Sequence, residues 1–336
     1  MDDAPRTLTA DELARCSLSE HASVSDALGC VEREGLAVLR AADGRIVGVL
    51  RDAELRAAHL RGCGLSEAAA RWSVPVPLEA DTGGRLPYQR TVDGGFELVV
   101  AAEPAVVVQS ALVLAGGLGS RMGALTQQIP KPLLPVAGRP MLEHVLEHLA
   151  RCGVREVTLA LNHLAEQIAH HIGRGERFGL QIRFLREDRR MGTAGALSLL
   201  QPLPSTPIFV VNADVLTRAN LQALAAHHLR TEASVTLSLV PHSYDVPFGV
   251  VRTAGTRIVQ IQEKPRIVNW CNAGIYCVSP SLIAQVPRNT YVDMTTMIET
   301  LIARGEAVEG FPLWEYWRDA GTPGELERAS AELERL

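Results

Sequence analysis

Two of the 33 basic residues in this chain are lysines, Lys131 and Lys264, and the rest are arginines. Each lysine stands in a Lys-Pro pair, the first after a glycine-rich stretch and the second after Glu263. An ammonium is a compact point charge with rotatable donors, whereas a guanidinium is a broad planar fork. A crowded site that must grip several phosphate oxygens in turn therefore favours lysine. The glycine-rich stretch, residues 112–122, reads LVLAGGLGSRM. Glycines at the end of a strand let the backbone turn sharply and approach a ligand without side-chain clash. Their N–H groups then form a nest for phosphate oxygens. Arg121 and Lys131 would neutralise the remaining charge. A tight turn would explain the glycines alone, but not the adjacent Arg121 and Pro130-Lys131-Pro132. The GxxxxGK[ST] phosphate loop is absent, and the glycine spacing does not fit the dinucleotide fingerprint.

Those residues need a frame. Ala111 to Ala115 reads as a short apolar strand running into the glycines. Pro140 opens a helix whose Met141, Leu142, Val145, Leu146 and Leu149 share one face. Residues 154–161, 180–185 and 208–211 read as further strands with helical stretches between them, and 234–240, 249–252 and 275–278 as later ones. Residues 296–303 and 325–336 look helical. This alternation predicts an α/β sheet with helices on its faces. Asp214 lies just beyond the strand 208–211, where open α/β sheets place their ligands. Upstream, residues 17–76 read helix, strand, turn, strand, helix, with Ser25 or Asp26 capping the first helix. Residues 75–104 are rich in proline and glycine and mark the expected boundary, with 96–100 a further strand.

The 336 residues suit two domains. A net charge of −5 argues against a protein that coats nucleic acid by neutralising its phosphates. The six cysteines show no CxxC pair or zinc-ligand spacing, and the acidic amino terminus has no apolar signal core. The most apolar stretch, residues 105–115, is too short to span a bilayer. The expectation is a cytoplasmic protein with reduced thiols and no membrane or nucleic-acid partner. His144 and His148 have i,i+4 spacing but fall beside Glu143 and Glu147, so a solvated helix face is expected, as for His170, His171, His227 and His228.

The ordered motifs resemble those of sugar-1-phosphate nucleotidylyltransferases. AGGLGSRM (115–122) is followed by PKPLLPVAGRPMLEHV (130–145), then GTAGAL (192–197), VNAD (211–214), FGVV (248–251), EKP (263–265), NAGIY (272–276) and YWRDAGT (316–322). The resemblance implies a Rossmann-like, mixed but mostly parallel sheet with helices on both faces. It also implies that a nucleoside triphosphate and a sugar 1-phosphate are joined with release of pyrophosphate. Ala115, Gly116, Gly117, Gly119 and Arg121 would hold the triphosphate, and Lys131 its pyrophosphate portion. Lys264 would bind the sugar phosphate and align its attack, which puts the two lysines on either side of the transferred group. Glu187, Gly192 and Thr193 would line the base pocket, while Glu263, Asn272 and Gly274 would face the sugar. Asp214 and Asp319 would hold Mg²⁺. The rivals are uridylyl or another nucleotidylyl transfer, and a non-catalytic nucleotide-sugar-binding regulator.

Residues 43–56 resemble part of a CBS domain, a small regulatory module. Its nucleotide-binding version has Ser or Thr near position 51 and Asp near position 54, where this chain has Arg51 and Glu54. The implied division is a CBS-like α+β domain and linker at 1–104, with a truncated second repeat, and a nucleotidylyltransferase domain at 105–336. Docking or homo-oligomerisation is the expected role of the first. The pairing resembles a bacterial subgroup that makes activated sugars for surface glycans, with guanylyl transfer, hence GTP, as its best-known activity.

Overall fold

The computed structural model describes residues 6–75, 89–90, 96–97, 99–100 and 108–335. The chain divides into two compact units, Met1–Val106 and Val107–Leu336.

In the first unit, strand Ser17–Ser19 runs parallel to Leu36–Arg40, which pairs antiparallel with Ile46–Arg51, which in turn pairs with Val74–Pro75. Two helices, Val24–Glu34 and Asp52–Leu60, pack on these strands. The cap of the first helix is Ser23, not Ser25 or Asp26. Its side chain accepts from the Asp26 N–H while the Asp26 carboxylate takes the Ser23 N–H, a reciprocal box satisfying two orphan donors. Arg51 and Glu54 are joined at 2.8 Å, and the Arg51 N–H also donates to the Glu54 carboxylate. The expected strand 96–100 falls in part outside the described residues. Phe96–Glu97 pairs with Gln89–Arg90, and Val99–Val100 pairs with Arg6–Thr7.

The second unit is built on a seven-stranded sheet in the order Gln181–Arg186, Glu156–Leu161, Ser110–Leu114, Ile208–Asn212, Arg266–Val278, Val235–Asp245, Val308–Pro312. The first four strands run parallel, Arg266–Val278 runs antiparallel to both its neighbours, and Val308–Pro312 is parallel to Val235–Asp245. Alternation sends Val210, Tyr276 and Val278 to one face, packed with Leu282, Met294, Met297 and Leu301. Val211 and Ile275 point to the other, against Val145 and Leu149 of helix Met141–Arg151 and Leu221 of helix Leu221–Arg230. Helices therefore cover both faces, and the sheet is mixed but mostly parallel.

Two of the histidines differ from expectation. His148 and His228 are buried rather than solvated. His148 lies on the shoulder of the apolar stripe, where it joins Val145 and Leu221 around a small internal cavity. His228 bridges Thr236 Oγ1 and Ser279 Oγ, each at 2.9 Å. Burial pushes both imidazoles down to about 4. Glu143 is buried too and carries His171 at 2.9 Å and Arg177 at 2.7 Å. Among the described residues no helix is long and apolar enough to cross a membrane.

Candidate active site

The chain leaves strand Ser110–Leu114 to one side for Glu156–Leu161 and Gln181–Arg186, then returns to the other side for Ile208–Asn212. That reversal opens a crevice at the carboxyl ends of the two central strands. A cleft of about 220 Å³ lies there, lined by Ala115, Gly116 and Gly117 from one strand end and by Asn212 and Asp214 from the other.

The glycine turn is shaped by its contacts. Gly119 has φ +63, and a Cβ there would stand 2.8 Å from Thr126 Cγ2 and 3.1 Å from Lys131 Cβ. The Thr126 hydroxyl donates to the Gly119 carbonyl at 3.0 Å, folding the loop back on itself. Any side chain at 119 would push away the segment that carries Lys131. Lys131 follows Pro130 in a short 3-10 turn, is 9% exposed, and its Nζ donates to the Asp214 carboxylate.

Asp214 and Asp319 come from distant segments. Strands Val215–Thr217 and Trp317–Asp319 form an antiparallel ladder that sets Val215 opposite Asp319. Burial chiefly, and then the charge of Asp214, raises the Asp319 carboxyl above the usual range, with Lys131 and Arg121 opposing. Its Oδ1 is buried with no hydrogen-bond donor among the described residues, an orphaned acceptor beside a second carboxylate. This donor set fits a hard divalent cation. The Arg121 guanidinium lies over Gly321, where a Cβ would meet it at 2.9 Å and Asp319 Oδ1 at 2.7 Å.

The opposite wall is the turn after strand Gln181–Arg186. Glu187 accepts the Met191 N–H at 3.2 Å, and burial raises its carboxyl. Gly192 has φ +76, and a Cβ there would stand 2.4 Å from the Val292 carbonyl. Thr193 N–H donates to Asp293 Oδ1 at 3.2 Å, and Thr193 Oγ1 accepts the Met294 N–H at 2.7 Å. Arg190, Tyr291 and Asp293 complete this wall, and the motifs pointed to none of them.

The sugar-side residues are disposed differently. A bulge in strand Arg266–Val278 gives Gly274 φ +71 and places it against Asn212 Nδ2, 2.6 Å from where a Cβ would sit. Asn272 is turned onto its own strand. Its Oδ1 accepts the Gly274 N–H at 2.9 Å and its Nδ2 donates to the Tyr276 hydroxyl at 2.7 Å. Glu263 and Lys264 are exposed beyond strand Arg257–Gln262, and Lys264 has φ +43. Neither lines the cleft, so of the two lysines the structure brings Lys131 alone to the carboxylate pair.

Residues 110–335 match the family described as Nucleotidyl transferase. The chain is 35% identical over 231 residues to a mannose-1-phosphate guanylyltransferase of Mycobacterium tuberculosis, across 67% of this chain and 64% of that one. It is 33% identical over 221 residues to a mannose-1-phosphate guanyltransferase of Yarrowia lipolytica, across 63% and 60%. The match thus spans less than two thirds of the length of either relative. Among solved structures, a putative glucose-1-phosphate thymidylyltransferase from Bacillus anthracis superposes with TM-score 0.56 at 24% identity, covering 68% of this chain and 96% of that one. HddC from Yersinia pseudotuberculosis gives TM-score 0.54 at 23% identity, covering 67% and 99%, and both share the fold. With a glycine turn, a buried lysine and two carboxylates at the sheet's switch point, and with a family match over two thirds of its length, this chain belongs to the nucleotidyl transferase family.

Proposed function

We propose that this chain transfers a guanylyl group from GTP to a sugar 1-phosphate, releasing pyrophosphate. The observation that carries the reading is Lys131 paired with Asp214 at the glycine-lined cleft, with Asp319 set beside Asp214 by the pairing of Val215 and Asp319. Relatives named as mannose-1-phosphate guanylyltransferases support the choice of base and make mannose 1-phosphate the first acceptor to test.

In this reading the N–H groups of the 115–119 turn hold the triphosphate, and Arg121 and Lys131 offset the charge of the departing pyrophosphate. An oxygen of the sugar phosphate attacks the α-phosphorus in line, the new P–O bond forms, and the bond to pyrophosphate breaks. Asp214 and Asp319 would hold Mg²⁺, which supplies charge neutralisation at the phosphate oxygens. Lys131 holds the Asp214 carboxylate in place by donating to it. Glu187 favours guanine over uracil for a simple reason. Guanine presents two adjacent donors, N1–H and the 2-amino group, whereas uracil presents one donor between two acceptors, and a carboxylate can only accept.

The sugar phosphate would enter past Gly274, with Lys264 and Glu263 reaching it from beyond strand Arg257–Gln262. The first unit acts in docking or self-association rather than adenine-nucleotide sensing, because Arg51 and Glu54 already satisfy each other where a ligand's phosphate and ribose would need them. A cytoplasmic role in making activated sugars for surface glycans is the setting we infer.

The test is pyrophosphate release by the purified full chain with Mg²⁺, crossing the common nucleoside triphosphates with a panel of sugar 1-phosphates. Release that requires GTP and one sugar phosphate is expected. Equal release with UTP would overturn the base assignment, and no release from a chain that binds no nucleotide would overturn the reaction.

A further inference from the structure

The turn before helix Met294–Ala303 is tied to the Glu187–Gly195 wall by backbone pairing. Ala194 and Gly195 N–H groups both donate to the Val292 carbonyl, at 2.9 and 3.1 Å, and the Val292 N–H donates to the Met191 carbonyl at 2.8 Å. Asp293 sits at the centre of this junction. One carboxylate oxygen takes the Thr193 N–H at 3.2 Å and the other takes the Tyr291 hydroxyl at 2.9 Å. Tyr291 is therefore fixed by its tip, while the residue is 55% exposed. It is the sole aromatic among the described residues lining the cleft, and the rest of that lining is small, charged or aliphatic. A tyrosine anchored at its hydroxyl and bare elsewhere offers a rigid apolar surface at low entropic cost.

Resting on the nucleotidyl-transfer reading above, we propose that Tyr291 is the platform on which the nucleobase stacks, and that Asp293 is a positioning residue acting through it. Gly116 and Gly117 offer bare backbone to the cleft, and Tyr291 lines the same cleft. Glu187 reads the edge of the base, and Tyr291 takes its face. Stacking tolerates any base but grows with ring area, so a purine gains more from Tyr291 than a pyrimidine does.

The experiment is equilibrium binding of GTP, UTP and tripolyphosphate to the full chain, in wild type and in Tyr291→Ala, Tyr291→Phe and Asp293→Asn. Tyr291→Ala is expected to weaken GTP by roughly tenfold or more and UTP by less. Tripolyphosphate, which has no base, should stay within about twofold of wild type, and Tyr291→Phe, which keeps the ring, should hold GTP to within roughly threefold. Asp293→Asn should weaken GTP by no more than Tyr291→Phe does, and in the double variant Tyr291→Ala/Asp293→Asn should add less than about twofold to the loss from Tyr291→Ala. An additive loss would overturn the positioning role. Wild-type binding of GTP with Tyr291→Ala unchanged, or an equal loss of GTP and tripolyphosphate, would overturn the platform alone. A wild-type chain that binds no nucleoside triphosphate would overturn both the platform and the reading beneath it.

Discussion

Asp214 and Asp319 are held side by side through their backbones. Val215 lies opposite Asp319 in the ladder, and the Ala320 N–H donates to the Asp214 carbonyl at 2.9 Å. Burial chiefly, and then the charge of Asp214, holds the Asp319 carboxyl above its usual range, with Lys131 and Arg121 opposing. The arrangement is costly to the fold and useful to a bound cation.

Asp319→Asn separates those two effects. Turnover should fall by roughly 10²–10³-fold, as when one charge-stabilising group is removed from a phosphoryl or acyl transfer site. The metal-free variant should be as stable as wild type at pH 7 or more so. Because the folded chain holds the Asp319 proton more tightly than the unfolded chain, this group's contribution to stability declines as pH rises from the ordinary carboxylate range through the raised one. The pH dependence of urea unfolding, compared between the two proteins, reads out that difference.

Lys131→Arg should be far more damaging than Lys264→Arg. Lys131 is wedged between Gly119 and Asp214, where a planar guanidinium cannot turn without displacing the loop. A loss of about 10²-fold in kcat is expected for Lys131→Arg. The exposed Lys264 should act on the sugar phosphate, so Lys264→Ala should raise KM for that substrate and leave KM for the triphosphate nearly unchanged. Steady-state kinetics with each substrate varied in turn distinguishes the two.

Glu187→Gln should erode the preference for guanine. An amide supplies one donor and one acceptor, which matches uracil better than a carboxylate does. The ratio of kcat/KM for GTP over UTP is expected to drop by roughly 10–100-fold. An unchanged ratio would place base selection elsewhere.

Gly192→Ala tests packing rather than chemistry. Left-handed backbone and a Cβ 2.4 Å from the Val292 carbonyl together should cost roughly 2–4 kcal/mol. Chemical denaturation would show it, and GTP affinity should fall along with stability because the Met191–Gly195 turn must shift.

His148 and His228 set an acid limit on the fold. Each is buried, and burial pushes its imidazole from the ordinary 6.5 down to about 4. Between those values the unfolded chain binds protons that the folded chain refuses, so stability is full above pH 6.5 and is lost as pH falls towards 4. His228→Gln should flatten part of that decline in a plot of Tm against pH, although at pH 7 it weakens the Thr236 and Ser279 bonds.

The glycine turn, Lys131 and Asp214 were legible in the sequence because local backbone need and charge fall together in a short stretch. The starts of strands Ser110–Leu114, Glu156–Leu161 and Ile208–Asn212 were legible for a related reason, since buried parallel strands read as apolar runs. Strand Arg257–Gln262 was not, because all six of its residues are exposed and no alternation marks it. The full length of Arg266–Val278 was hidden by the bulge at Gly274, which breaks its period. Tyr291 and Asp293 reach the cleft through backbone pairing with the Met191–Gly195 turn, a contact between distant segments that leaves no pattern in either. His148 and His228 depart from expectation because a second helix and an inner strand of the sheet cover what a lone helical wheel presents as a polar face.

The ladder that pairs Val215 with Asp319 also fixes the order in which the site is assembled during synthesis. The seven-stranded sheet has all its strands once Pro312 has left the ribosome, with the glycine turn, Lys131 and Asp214 already among them. Asp319 arrives afterwards, on the last strand, and helix Pro323–Leu333 then clasps that strand through Arg318 and its partners Glu325 and Glu332. A nascent chain can thus fold its glycine-lined cleft while still lacking half of its carboxylate pair, which is completed only once the segment carrying Asp319 has emerged.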